Sequence, residues 1–224
     1  MRTLPHVAVK ICGFSTVETL EAAIEAGADM AGFVFYEKSP RHIDLATARR
    51  LGPIASGRIE KVALSVDADD AALAAMIDAL EPDYLQLHGQ ETPERVAAVK
   101  ARFGRKIIKA IGVATAADVE KGAAYSGADM LIYDAEPAPD ATLPGGNGVV
   151  FDWKLMRGAA TDKPWLLSGG LEAANVGEAL RVSGASGVDV SSGVERSRGV
   201  KDAARISAFI AAARAARSSW LTRS

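Results

Sequence analysis

Short apolar runs alternate with longer Ala-rich stretches along the whole chain. The apolar runs at 7–12, 30–35, 61–66, 84–88, 106–112, 130–133, 165–168 and 187–190 lack clean polar/apolar alternation. That is the pattern of strands covered on both faces. The stretches at 16–25, 45–55, 70–80, 93–102, 116–124, 153–158, 174–182 and 201–217 read as helices. Eight strands in strict alternation with eight helices predict a parallel sheet wrapped by helices. The count of eight favours a closed (β/α)8 barrel, the TIM-barrel class of α/β folds, over an open doubly wound sheet. No low-complexity linker interrupts the pattern, so residues 1–224 read as one domain.

A weak internal repeat supports the barrel. Gly27-Ala28-Asp29 precedes the second strand and Gly127-Ala128-Asp129 the sixth, four β/α units later, while Gly184-Ala185 precedes the eighth. Glycine here suits a helix C-terminus, where φ is often positive. Glu81-Pro82-Asp83 takes the same helix-stop place before the fourth strand. At the first helix, Ser15 stands as an N-cap with Glu18 in capping-box spacing. The longest Gly/Pro-rich segment, 135–148, is a single loop after strand six. A long loop inside a compact domain is usually functional.

Composition narrows the function. The chain of 224 residues is 49% hydrophobic and 24% charged, with a net charge of −2. This suits a soluble globular protein and offers no basic footprint for nucleic acid. No apolar stretch approaches a membrane span, and no signal pattern opens the chain. The single cysteine, Cys12, excludes an intrachain disulfide and fits a reducing cytoplasm. His6, His42 and His88 have no metal-ligand spacing, so neither a metal nor a cofactor is expected.

In a barrel the C-terminal ends of the strands share one mouth. Read in order they supply Cys12, Arg41, His88, Asp134, Ser168-Gly169-Gly170, and Asp189 with Ser191-Ser192-Gly193. The Ser/Gly turns after strands seven and eight stand where barrels commonly hold a phosphate on backbone N–H groups. Gly145-Gly146-Asn147-Gly148 can close over the same anion, although all three turns also serve simply as tight turns. Cys12 and Asp134 flank the phosphate strands. A thiolate whose pKa falls toward neutrality takes a proton from carbon, and a protonated carboxyl donates one, a pairing that suits an isomerisation without cofactor. The plain alternatives are a small buried hydrophobe at Cys12 and a strand-end hydrogen bond at Asp134. Arg41 can hold a carboxylate bidentately, or pair locally with Glu37 or Asp44. His88 is either a donor facing the ligand or a satisfied strand-end histidine.

At these residues the chain resembles the phosphoribosylanthranilate isomerases of tryptophan biosynthesis. The matching segments are Val9-Lys10-Ile11-Cys12-Gly13, Gly32-Phe33-Val34-Phe35 with Lys38-Ser39-Pro40-Arg41, and Leu85-Gln86-Leu87-His88-Gly89. They continue through Asp134, Gly146-Asn147-Gly148 before Phe151-Asp152-Trp153, Leu167-Ser168-Gly169-Gly170-Leu171 and Val188-Asp189-Val190-Ser191-Ser192-Gly193-Val194-Glu195. The resemblance implies Cys12 as general base, Asp134 as general acid and Arg41 as the holder of the anthranilate carboxylate. It implies a phosphate cradle at Gly146, Gly148, Ser168, Gly169, Gly170, Ser191, Ser192 and Gly193, with His88 and Asp189 near the substrate. The implied ligand is a small phosphorylated molecule, and the implied reaction an Amadori rearrangement.

Two positions depart from the family pattern: Asn147 replaces a small hydroxyl residue, and Val149-Val150 a polar pair. The related aminoaldose isomerase of histidine biosynthesis is a rival reading, but it is expected to carry an aspartate where this chain has Cys12. A barrel that binds a phosphorylated ligand without turnover is a second rival, and it has no need of a Cys/Asp pair. Phe209, Ile210 and Trp220 either cover the barrel or meet a second subunit, and a monomer is the expectation.

Overall fold

A computed structural model describes residues 6–136, 145, 146, 148–157 and 161–221, with side chains to residue 216. Eight parallel strands close into the expected barrel: β1 (Ala8–Cys12), β2 (Met30–Val34), β3 (Glu60–Ser65), β4 (Tyr84–Leu87), β5 (Lys106–Val113), β6 (Met130–Ala135), β7 (Trp165–Leu167) and β8 (Gly187–Val190). Closure is made by β1 and β8, with Ala8 opposite Gly187 and Ile11 opposite Val190. Around it lie α1 (Val17–Glu25), α2 (Leu45–Ala55), α3 (Asp70–Leu80), α4 (Pro93–Phe103), α5 (Ala116–Glu120), α6 (Val176–Ser183) and α7 (Ala203–Leu221).

The two-residue period of the strands divides their side chains between two cores. One set, including Val9, Ile11, Phe33, Leu85, Leu131, Leu167 and Val188, packs outward against the helices. The other, Met30, Val62, Tyr84, Ile108, Met130, Ile132 and Leu166, fills the barrel. The same alternation carries Cys12, Val34, Leu64, His88, Asp134 and Ser168 inward at the C-terminal rim.

At the opposite end an aspartate device recurs. Asp29 accepts the Val9 N–H at 2.7 Å and returns its own N–H to the Val9 carbonyl. Asp83 does the same with Lys61, and Asp129 with Ile107. Each clamp ties the start of an odd strand to the residue before its even neighbour. The glycines of the repeat prove unequal. Gly27 and Gly184 have φ of 83° and 73°, whereas Gly127 is not among the positive-φ glycines. A Cβ at Gly127 would stand 2.9 Å from the Ala97 Cα, so close packing on α4 requires it.

Several elements differ from the sequence expectation. Thr16, not Ser15, caps α1 by accepting the Thr19 N–H, so the Ser15/Glu18 capping box does not form. The expected helix at 153–158 is a 3-10 turn at Trp153–Met156, and the one at 116–124 ends in a 3-10 turn at Lys121–Ala124. Strand six runs two residues further than expected and so contains Asp134. The segment before α7 forms a small hairpin, β9 (Glu195–Ser197) with β10 (Val200–Lys201). Phe209 and Ile210, on α7, are buried in the core. The Trp220 side chain and residues 137–144, 147 and 158 lie outside the described residues.

The clamps sit far from the mouth, so they bear on stability alone. Asp129→Ala is expected to cost about 1–3 kcal/mol by leaving the Ile107 N–H unpaired. Urea unfolding should show the lowered midpoint, with kcat unchanged.

Candidate active site

The strand ends and the loops behind them line a pocket at the C-terminal mouth of the barrel. Twelve of the thirteen residues expected at the mouth line it: Cys12, Arg41, His88, Asp134, Gly146, Gly148, Ser168, Gly169, Gly170, Asp189, Ser191 and Ser192. Gly193 does not; a Cβ there would run into the Leu171 carbonyl.

Cys12 ends β1, 5% exposed and opposite Gly32 of β2. A Cβ at Gly32 would stand 2.9 Å from the Cys12 Sγ and 3.1 Å from the Lys10 Nζ. Glycine there makes room for thiol and ammonium together. Lys10 is fully buried two residues below Cys12 on the same inward face, and its Nζ donates to Asp189 Oδ1 at 2.8 Å. Ser168 Oγ donates to the other Asp189 oxygen at 3.3 Å. Burial opposes the Lys10 charge, but Asp189 and then Cys12 outweigh it and hold the ammonium above its usual range. For Cys12 burial is the largest influence and pushes the thiol up; Lys10 and Lys201 pull it down without cancelling burial. The fall toward neutrality expected from the sequence is therefore reversed, because the thiol is enclosed.

Arg41 is buried and pairs with neither Glu37 nor Asp44. Its Nε donates to Glu195 Oε1 at 2.6 Å and its Nη2 to Glu195 Oε2 at 3.1 Å. Gly13, with φ of 95°, lets Arg41 pass over the end of β1: a Cβ there would stand 2.8 Å from the Arg41 Cδ. Lys201 reaches Glu195 Oε1 at 2.7 Å and the Ser191 carbonyl at 3.0 Å. Ser191 Oγ donates to the Cys12 carbonyl at 2.9 Å. Burial would raise the Glu195 carboxyl, yet Arg41, Lys201 and the Gly199 N–H together hold it at about 2. The β9–β10 hairpin thus supplies two charges to the mouth. Glu195 and Lys201 carried no role in the sequence reading, since that segment shows no strand-like pattern. Lys10 did carry a signal, being a lysine inside an apolar strand two positions from the cysteine.

Asp134 is 5% exposed, accepts the Ala135 N–H at 2.9 Å through Oδ1, and has Oδ2 3.6 Å from His88 Nε2. Gly169 and Gly170 have φ of 88° and 58°, a turn that favours glycine. Ser192 opens a 3-10 turn, Ser192–Val194, and Gly148 faces it, a Cβ there falling 3.7 Å from Ser192 Oγ. Gly146 instead packs on Arg41, accepting its Nη2 at 3.3 Å, which sets it apart from the Ser/Gly turns. Asn147 lies outside the described residues, and Val149 and Val150 are each 47% exposed.

A thiol, a carboxyl, an arginine with one guanidinium edge already paired and two Ser/Gly turns therefore share one pocket. The family model for N-(5'-phosphoribosyl)anthranilate isomerase matches residues 9–212. The N-(5'-phosphoribosyl)anthranilate isomerase of Azorhizobium caulinodans is 55% identical over 211 residues, covering 94% of this chain and 92% of that one. The crystal structure of phosphoribosyl anthranilate isomerase from Thermotoga maritima has a TM-score of 0.83 at 35% identity, covering 93% of this chain and 99% of that one. A second phosphoribosyl anthranilate isomerase structure, in complex with reduced 1-(o-carboxyphenylamino)-1-deoxyribulose 5-phosphate, has a TM-score of 0.80 at 33% identity, covering 93% and 99%.

The raised Cys12 pKa has a direct readout in a chain with one cysteine. Thiolate absorbance should develop only above the ordinary value of about 8.5. Lys10→Met should move it higher still, because Lys10 favours the anion. A thiolate formed near neutrality would contradict this balance. The fold, the pocket and these matches together establish that the chain belongs to the N-(5'-phosphoribosyl)anthranilate isomerase family.

Proposed function

We propose that the chain carries out the Amadori rearrangement of N-(5-phosphoribosyl)anthranilate, with Asp134 as general acid and Cys12 as general base. The observation that carries this reading is their placement in one pocket with Arg41 and the Ser/Gly turns after β7 and β8. The phosphate sits on the backbone N–H groups of Ser168–Gly170 and Ser191–Ser192, with Gly148 closing beside Ser192. Arg41 Nη1, the nitrogen not engaged by Glu195 or Gly146, takes the anthranilate carboxylate.

The order of steps follows from charge. Asp134 gives its proton to the furanose ring oxygen, the C1–O bond breaks, and the anthranilate nitrogen pair forms a cationic iminium. That cation acidifies the C2 proton and favours an anion nearby. The Cys12 thiolate then takes the C2 proton, and the C–H electron pair moves into a C1–C2 double bond while nitrogen regains its pair. The resulting enolamine tautomerises to the ketone, C1 gaining a proton and the C2 hydroxyl losing one. The product is 1-(2-carboxyphenylamino)-1-deoxyribulose 5-phosphate, made without metal or organic cofactor. With the thiol pKa raised, the fraction of active base grows with pH. So kcat/KM should climb on the alkaline side of neutrality.

The setting proposed is a reducing cytoplasm, where one free thiol persists. A monomer is proposed, since Phe209 and Ile210 are taken up by the core.

Loss of substrate fluorescence measures the reaction. Cys12→Ser and Asp134→Asn should each lower kcat by about 100-fold or more while binding the reduced product analogue as wild type does. A variant keeping most of its turnover would overturn the role given to that residue. Arg41→Ala should instead act on binding, raising Kd for the same analogue by about tenfold or more, the loss of a charge-assisted pair. Unchanged affinity would remove the carboxylate role from Arg41.

A further inference from the structure

Gln86 lies on β4 two residues before His88, so both side chains point into the barrel, Gln86 one layer deeper. It is completely buried, beside the apolar layer of Val62, Ile108, Ile132 and Leu166. Its Nε2 lies 2.9 Å from His88 Nδ1, while its Oε1 has no hydrogen-bond partner among the described residues. A buried amide with one oxygen unsatisfied costs stability, and an apolar side chain of similar size would fill the space without that cost. The contact with His88 is what the amide achieves.

In this amide orientation Nε2 faces the ring and can only donate, so His88 Nδ1 accepts and bears no proton. In the neutral ring the proton is then on Nε2. That N–H faces Asp134 Oδ2 at 3.6 Å. Gly145 roofs the pair: a Cβ there would stand 2.6 Å from His88 Nε2 and 2.7 Å from Asp134 Oδ2. At 3.6 Å the contact is longer than a hydrogen bond, so the donor is not engaged by the resting carboxyl. A contraction of under ~1 Å brings it into range when negative charge develops there. An interaction that strengthens only as the proton leaves lowers the barrier rather than the ground state.

We propose that Gln86 is a positioning residue for the isomerisation: by occupying Nδ1 it holds His88 as the Nε2–H tautomer, a donor aimed at the carboxylate formed when Asp134 gives up its proton. The proposal rests on the reading of Asp134 as the acid. In the opposite tautomer the Nε2 lone pair faces that carboxylate and repels it.

The ring nitrogens of 15N-labelled protein report the tautomer directly, and a His88→Gln variant identifies the signals among three histidines. The expected wild-type spectrum has His88 unprotonated at Nδ1 and protonated at Nε2. Gln86→Glu presents a carboxylate to Nδ1 and should bring a proton onto it. It should lower kcat by about tenfold or more, a size typical of lost orienting partners, and leave Kd for the reduced product analogue within about twofold. Gln86→Met should lower kcat likewise. A wild-type His88 protonated at Nδ1 overturns the proposal without touching the role of Asp134. So does a Gln86→Glu protein with the proton moved and kcat unchanged. Full turnover by Asp134→Asn overturns the acid assignment, and with it the purpose given to Gln86, whatever the spectrum shows.

Discussion

Ionised groups buried in the barrel must be compensated on the spot, and the mouth is organised around that requirement. Lys10 is enclosed completely, and an unpaired ammonium there would cost several kcal/mol. Asp189 meets it across the closing strands, and Ser168 shares the carboxylate. The pair ties β1 to β8 at the level just beneath the pocket. It also sets a cation close below the single thiol, where Gly32 leaves the space for both. Arg41 and Lys201 converge on Glu195 in the same manner, and Lys201 continues to Ser191, whose hydroxyl holds the Cys12 carbonyl. The two networks thus meet at Cys12 from below and from the side.

Compensation also sets the limits of the chemistry. Burial makes the thiol a weaker acid, and two lysines only partly restore it. In the proposed reaction a base of this kind is effective because the iminium cation forms beside it. Glu195 takes Nε and Nη2 of Arg41 and the Gly146 carbonyl takes Nη2 as well, which leaves Nη1 held in place for the proposed carboxylate. Stability is arranged at the other end of the barrel, where Asp29, Asp83 and Asp129 clamp successive strand pairs and touch nothing in the pocket.

Much of this was legible in the sequence because it depends on local pattern. The eight barrel strands follow from their two-sided apolar runs, and strand alternation then directs Cys12, His88 and Asp134 inward. What was not legible depends on distance or on weak local signal. Arg41 finds its partner 154 residues away, so inspection of its neighbours points to the wrong acids. The β9–β10 hairpin is two short strands of mostly polar residues and shows no alternation to read. Gly127 repeats Gly27 in sequence and differs from it in cause, since the packing of α4 rather than a positive φ requires it. The direction of the Cys12 shift depends on enclosure at the barrel's closing strands, a property that no single segment carries.

We propose that one pocket holds the phosphate over the β7 and β8 turns, the carboxylate at Arg41, and the reacting carbons between Cys12 and Asp134. A crystal structure of the complex with the reduced product analogue tests it most directly. Phosphate oxygens are expected on the backbone N–H groups of Ser168–Gly170 and Ser191–Ser192, the anthranilate carboxylate on Arg41 Nη1, and C2 within reach of the Cys12 Sγ. A phosphate bound away from those turns, or a reacting carbon turned away from Cys12, would contradict it.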